Sequence, residues 1–292
     1  MPYYSFAGLH LDSEGELPLP TSLPVPTENS ETSETSDTSP NPVLRLRYRT
    51  FELEDQKLNQ EAGGLSWGKF EHAFGLRVGK IDFLYQGDLL EVNTPFETAA
   101  DFLVRAALGF VAVARGFCAF HGSAAGKNGK AVLIVGNKGA GKSTTVTGLL
   151  QRGWGLLCDD LVAVRQGWVH PTVLQTRLLP DSWKALGGSL QAVPGADGKI
   201  SWSFGASHPA LLGGAVVLQP GEEFATQEIH GHRKLQLLLP HLNHLPGVGD
   251  PAQRLTEAAE VVNTLRVRLV TRPVQRLALS EVQDTIEDLI FT

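Results

Sequence analysis

The chain is poor in cysteine: its 292 residues include two, Cys118 and Cys158. Two thiols cannot build the disulfide framework of a small secreted domain. Long apolar runs are missing as well. A membrane-spanning helix needs about 20 consecutive apolar residues; the most apolar helix candidate, residues 102–114, is shorter and carries Arg105, so it reads as a core helix. Nor is there an excess of positive charge: 25 Lys and Arg against 31 Asp and Glu leave a net charge of -6. Neither nucleic acid nor an anionic membrane is therefore expected as a partner. The first residues show neither a secretory-signal pattern nor an Arg-rich transit pattern, and the expected compartment is a reducing cytoplasm. With 42% hydrophobic and 19% charged residues, the chain has enough apolar material for a real core.

Four stretches differ in character. Residues 1–25 read as a short strand followed by an extended Pro/Leu segment. Residues 26–41 form an acidic Ser/Thr run whose carboxylates are Glu28, Glu31, Glu34 and Asp37; such a run cannot bury apolar surface and is expected to be a disordered linker. Residues 42–115 predict a small antiparallel β meander plus a helix. Over 43–50, Leu44, Leu46 and Tyr48 alternate with Arg45, Arg47 and Arg49, as in a half-exposed strand. Strands over 74–78 and 81–85 bracket the turn Gly79-Lys80, a strand follows over 89–92, and a helix over 96–115.

Residues 116–292 change to strand–helix–strand alternation, which predicts an α/β fold. Strands are expected over 117–124, 131–135, 155–164, 215–219, 228–230 and 274–279. Helices are expected over 142–152, 235–239 and 253–265. The run 131–135 is apolar throughout, as in a strand buried on both faces.

The segment Gly136-Asn137-Lys138-Gly139-Ala140-Gly141-Lys142-Ser143 follows that strand and opens the helix that includes Thr144. It fits the pattern G-x-x-x-x-G-K-[ST]. Backbone N–H groups and the positive end of a helix then converge on one point, which suits a triphosphate. Lys142 would reach the β- and γ-phosphates, and the Ser143 hydroxyl would hold Mg²⁺. No Asn/Thr-Lys-x-Asp segment follows, so guanine specificity is not expected.

Leu156-Leu157-Cys158-Asp159-Asp160 closes the next strand and sets two carboxylates beside the loop. One of them can hold Mg²⁺ and the other can accept a proton from an attacking hydroxyl. Two adjacent carboxylates near phosphate call for a cation. Cys158, beside both acids, is expected to have a raised pKa and no reactive thiolate. His121 ends the strand before the loop strand, where it can donate to a transferring phosphate or orient an aspartate. His230, His232, His241 and His244 cluster without cysteines or nearby carboxylates, and read as surface or packing histidines rather than a metal site.

His121-Gly122-Ser123-Ala124, the loop 136–143, Gln151-Arg152-Gly153 and Cys158-Asp159-Asp160 occur in the order and spacing of the HPr kinase/phosphorylase catalytic domain, which this sequence resembles. It is more similar still to the HPr-kinase-related serine kinases of peptide modification, including those of lasso peptides; Arg177-Leu178-Leu179-Pro180-Asp181-Ser182 and Arg272-Pro273-Val274-Gln275-Arg276-Leu277 match their segments. The resemblance covers about residues 70–290 and is specific around 117–182. It implies a phosphate-loop kinase core related to phosphoenolpyruvate carboxykinase. It also implies Mg²⁺ and ATP as cofactors, and transfer of the γ-phosphate to a serine of a protein or peptide partner, with a homo-oligomer as an option. It gives Asp159 as proton acceptor, Asp160 as its metal-side neighbour and His121 as an assisting group; exchange of the two aspartate roles stays open. The L-E-I-R-G-type signature of the bifunctional enzymes is absent, so the resemblance does not extend to phosphorylase activity, to HPr as substrate or to a hexamer. Two other readings stay open: a nucleotide-binding sensor or scaffold without transfer, and a kinase of a small molecule such as a free amino acid.

Overall fold

The computed structural model describes residues 3–17, 43–62, 64–187, 193–194, 198–203, 207–243, 245–248, 250–273 and 278–292. The expected linker over 26–41, His244, and residues 274–277 of the expected last strand lie outside them. The chain divides into two compact units, Met1–Val111 and Ala112–Thr292. Among the described residues, no helix is long and apolar enough to cross a membrane.

Among the described residues the first unit is built on eight strands: β1 (Tyr3–Phe6), β2 (Leu9–Ser13), β3 (Val43–Tyr48), β4 (Gln60–Ala62), β5 (Leu65–Phe70), β6 (Ala73–Val78), β7 (Ile81–Gln86) and β8 (Leu89–Val92). Their order in the sheet is β1-β2-β3-β8-β7-β6-β5-β4. The run from β4 to β8 is the expected meander, but β3 pairs parallel with both β2 and β8. The sheet is thus mixed rather than antiparallel. The alternation in β3 is the one expected: Leu44 and Leu46 are fully buried, while Val43 and Arg45 are exposed. At its centre, buried Asp82 accepts from Arg77 Nε at 2.6 Å and from the Leu53 amide at 2.9 Å. Arg77 also binds Asp55, and these carboxylates hold its guanidinium pKa above the ordinary value. Helical residues α1 (Phe96–Phe102) and α2 (Leu108–Ala114) are joined by a π-helical turn over Leu103–Ala107.

The second unit contains β9 (Cys118–Lys127), β10 (Lys130–Gly136), α3 (Lys142–Gln151), β11 (Gly155–Arg165), β12 (Trp168–His170), β13 (Gln175–Leu178), α4 (Pro180–Ala185), β14 (Val193–Pro194), β15 (Ile200–Ser203), β16 (Ala210–Gly221), β17 (Ala225–Ile229), α5 (Arg233–Leu238), α6 (Pro251–Thr264), β18 (Arg266–Pro273) and α7 (Leu279–Phe291). Strands β10, β16 and β18 run parallel. Strand β9 joins β10 to β11 in antiparallel fashion, and β11 and β12 lead back to β16. Strands β10, β9, β11, β12 and β16 therefore close a hydrogen-bonded ring, from which β18 and β17 extend. The architecture is mixed α/β with several sheets.

Alternation along β10 shows how helices cover both faces of this sheet. Ala131, Leu133 and Val135 point into a core shared with α5 and α6 through Leu238, Ala258 and Val262. Val132 and Ile134 point into a second core, shared with α3 and α7 through Val146, Leu149, Val282, Ile286 and Leu289. Burying each such side chain contributes roughly 1.5–3 kcal/mol. The strand expected over 274–279 is not seen where it is described: Leu279 is the first residue of α7, whose apolar positions recur at helical spacing. Helix α6 is capped by Asp250, which accepts from the Ala252 amide at 2.9 Å, with Pro251 in the first turn.

Candidate phosphate site

Parallel strands β10, β16 and β18 present their carboxyl ends together, the place where open α/β sheets bind ligands. The loop 136–143 leaves β10 there. Gly136 has φ +153°, and a Cβ on it would lie 2.5 Å from the Leu218 carbonyl oxygen of β16. Asn137, Lys138 and Gly139 are exposed on the loop, while Ala140 and Thr144 are buried. The Ala140 amide donates to the Asn137 carbonyl at 3.0 Å, closing a turn. Gly141 stands before α3 with φ +91° and ψ 25°, a left-handed conformation natural to glycine. Its carbonyl accepts the first helical bond, from the Thr145 amide at 2.8 Å.

Lys142 folds over its own loop, donating to the carbonyls of Gly136 at 2.8 Å and Asn137 at 3.4 Å. Burial holds its pKa below the usual lysine value, opposed by the charges of Asp160 and Asp159.

Strand β9 is the partner that sets these acids in place. Its register puts Ser123 opposite Asp159 and Gly122 opposite Asp160. The Asp159 carboxylate, 3% exposed, accepts from Ser123 Oγ at 2.6 Å and from Ser143 Oγ at 3.1 Å. The Arg177 amide of β13 donates to it as well. Burial, and then the charge of Asp160, push its pKa up to about 6 despite these donors. Asp160 is exposed and has φ +76°, which interrupts the strand alternation. Asp tolerates this region better than most residues, and such departures cluster at functional sites. The Cys158 thiol points into the core, where burial pushes it up to about 12.

His121 is exposed and its Nδ1 lies 3.2 Å from the Asp160 carbonyl oxygen. A carbonyl only accepts, so Nδ1 is the donor in this contact. A bridge between Phe120 and Leu242, with the Asn243 amide donating to the Ala119 carbonyl at 2.7 Å, ties the segment around His241 to β9. Burial, then the charges of Lys142 and His121, hold the His241 pKa below the usual histidine value.

The loop, both aspartates and His121 therefore stand together. Ser123, the Arg177 amide and Arg272, whose Nε donates to the Ala140 carbonyl at 2.9 Å, join them; the sequence motifs include these residues but assign them no role. His241, expected as a surface or packing histidine, stands close enough to feel the charge of Lys142. Ser123 lies two residues from His121, and the period of a strand puts both on one face. For the other three, nothing local in the sequence states that they reach the loop. Among the described residues no three His, Cys, Asp or Glu side chains converge as a metal cage. A hard cation shared with phosphate needs fewer protein ligands, and the oxygen pair of Ser143 and Asp159 fits one.

No family model matches the chain. Over 58 residues, 20% of its length, it is 40% identical to the HPr kinase/phosphorylase of Chlorobium chlorochromatii. Over 47 residues, 16% of its length, it is 43% identical to the HPr kinase/phosphorylase of Chlorobium phaeovibrioides. Over these stretches the chain is similar to HPr kinase/phosphorylases. The matched stretches span only 17% and 14% of those relatives' own length. Among solved structures, the Hpr(Ser) kinase/phosphatase from Coxiella burnetii is matched over 58% of this chain and 94% of that one, with 12% identity and a TM-score of 0.29. The HPr-kinase-like relationship thus rests on the sequence stretches.

Proposed function

We propose that the chain is a Mg²⁺- and ATP-dependent kinase that transfers the γ-phosphate to a serine hydroxyl of a protein or peptide. The observation that carries this reading is the hydrogen bond from Ser143, in the first turn of the phosphate-loop helix that Lys142 opens, to the buried carboxylate of Asp159. A sensor or scaffold needs the loop but has no use for paired acids beside it. The related enzymes carry the word kinase and the protein HPr in their name; the protein class of acceptor is taken from that name, and HPr itself is not proposed.

In this reading the loop amides and Lys142 bind the β- and γ-phosphates, and Lys142 exchanges its two loop carbonyls for phosphate oxygens. Ser143 and Asp159 would hold Mg²⁺, which when bound neutralises charge on the transferring group. That placement exchanges the roles the resemblance implies for the two aspartates: Asp159 is buried and bonded to the loop serine, whereas Asp160 is exposed to an incoming substrate. Asp160 is then the proton acceptor. The serine oxygen forms a bond to the γ-phosphorus, the bond from that phosphorus to the β,γ-bridging oxygen breaks, ADP departs, and the hydroxyl proton passes to the Asp160 carboxylate. His121, bonded to the Asp160 backbone, assists from the same face.

ADP formation from ATP and Mg²⁺, measured with and without a pool of serine-containing peptides, tests the proposal. ADP formation that requires both the pool and Lys142 is the expected result. ADP formation indifferent to the pool, or unchanged in Lys142→Ala, contradicts it.

A further inference from the structure

Arg272 lies at the carboxyl end of β18, paired in register with Pro220 of β16, and so two strands away from the strand that feeds the phosphate loop. Its half-buried guanidinium reaches the loop from there. Nε donates to the Ala140 carbonyl at 2.9 Å. A Cβ on Gly141 would overlap Nη2 and lie 2.7 Å from Cζ. Glycine at 141 is favoured by its φ of +91°, and a side chain there would have to displace the guanidinium from the loop.

The peptide unit between Ala140 and Gly141 is planar and trans, so its C=O and N–H point in opposite directions. Fixing the carbonyl toward Arg272 aims the Gly141 N–H toward the other side of the loop. That side is where successive loop amides must converge to hold phosphate. The guanidinium also sets a permanent positive charge behind the loop. Burial lowers its pKa from the ordinary arginine value, yet guanidinium stays charged at neutral pH.

We infer that Arg272 is a positioning residue of the phosphate site: it holds the Ala140–Gly141 peptide in the orientation that binds polyphosphate, without itself forming part of the chemical step. The inference rests on the phosphate-loop reading above. It predicts weaker phosphate binding with an unimpaired transfer step once the site is saturated.

Inorganic tripolyphosphate with Mg²⁺ is the probe, because it needs no acceptor. Its affinity is measured by calorimetry in the full chain for the wild type, Arg272→Gln, Arg272→Lys and Lys142→Ala, with the thermal midpoint of each as a folding control. A charge-assisted hydrogen bond is at stake, so Arg272→Gln is expected to weaken binding by about tenfold or more. Arg272→Lys, which keeps the charge but not the planar fork, is expected to fall between it and the wild type. In the ATP reaction KM should rise while kcat is kept. Wild-type affinity in Arg272→Gln alongside lost affinity in Lys142→Ala overturns the inference and leaves the phosphate site standing. Wild-type affinity in Lys142→Ala overturns the phosphate site and this inference with it. If Arg272→Gln does not fold, Arg272→Lys decides: a several-fold loss supports the inference, and equality with wild type overturns it.

Discussion

Ser143 Oγ donates to the Asp159 carboxylate at 3.1 Å, joining the first turn of one helix to a strand 16 residues further along the chain. The same oxygen accepts from Ser123 at 2.6 Å. A buried acid that needs two hydroxyls and still has a raised pKa is costly to the fold, and that cost is measurable.

The sign follows from the proton count. Asp159 rises from 3.8 to about 6 on folding, so between these values the folded chain binds more protons than the unfolded one. Stability from this group falls as pH rises through that window and stays lower above it. The penalty is on the order of 2–3 kcal/mol at neutral pH. Asp159→Asn, whose amide oxygen can still accept from both serines, is expected to raise the thermal midpoint by several degrees at pH 7.5 and to have little effect near pH 4. Thermal unfolding at the two pH values checks this.

The two aspartates should fail differently. Asp160→Asn is expected to keep ATP affinity while slowing transfer by about 10²–10⁴-fold, the usual contribution of a general base. Asp159→Asn is expected to raise the Mg²⁺ concentration needed for half-maximal nucleotide binding. Equilibrium titrations with a fluorescent ATP analogue, beside single-turnover rates, separate the outcomes.

His241 offers a probe that needs no substrate. Its pKa is held down by burial and by the charges of Lys142 and His121. Removing the ammonium removes one opposing charge, so in Lys142→Ala the His241 imidazole should titrate at higher pH than in the wild type. NMR titration of the ring Cε1–H resonance reads the shift directly. An unchanged titration means that the ammonium is not beside this ring.

In the first unit, Asp82 is 2% exposed and depends on Arg77, which donates to it at 2.6 and 3.0 Å. Arg77→Leu leaves a buried carboxylate without its cation and is expected to cost about 3 kcal/mol. Arg77→Leu combined with Asp82→Asn should recover part of that loss, which urea unfolding followed in this unit can measure.

How much of this was readable in advance depends on chain distance. The phosphate loop is contiguous, and the apolar run of β10 ahead of it identifies a strand buried on both faces. The side chain of Ser123 meets Asp159 across 36 residues, but strand period puts it on the His121 face, so the signal was there to be used. Arg272 reaches Ala140 across 132 residues through the order of three parallel strands, and nothing in the sequence states that order. The parallel pairing of β3 was hidden for the same reason, because alternation fixes the faces of a strand and not its neighbours. Residue 279 closes the strand expected over 274–279, whereas the stripe of Val282, Ile286 and Leu289 makes it the start of a helix packed on the sheet. Burial also separated Asp159 from Asp160, a distinction that two identical adjacent residues cannot carry in sequence.

Transfer of labelled γ-phosphate from ATP into phosphoserine tests the central claim most directly. The chain is incubated with Mg²⁺ and offered serine-containing peptides, free serine or buffer alone, with Lys142→Ala and Asp160→Asn in parallel. The account predicts label in peptide as phosphoserine, absent from Lys142→Ala and from free serine and formed about 10²–10⁴-fold more slowly by Asp160→Asn. Nucleotide bound by the wild type with no label in any acceptor, or label appearing only in free serine, contradicts it.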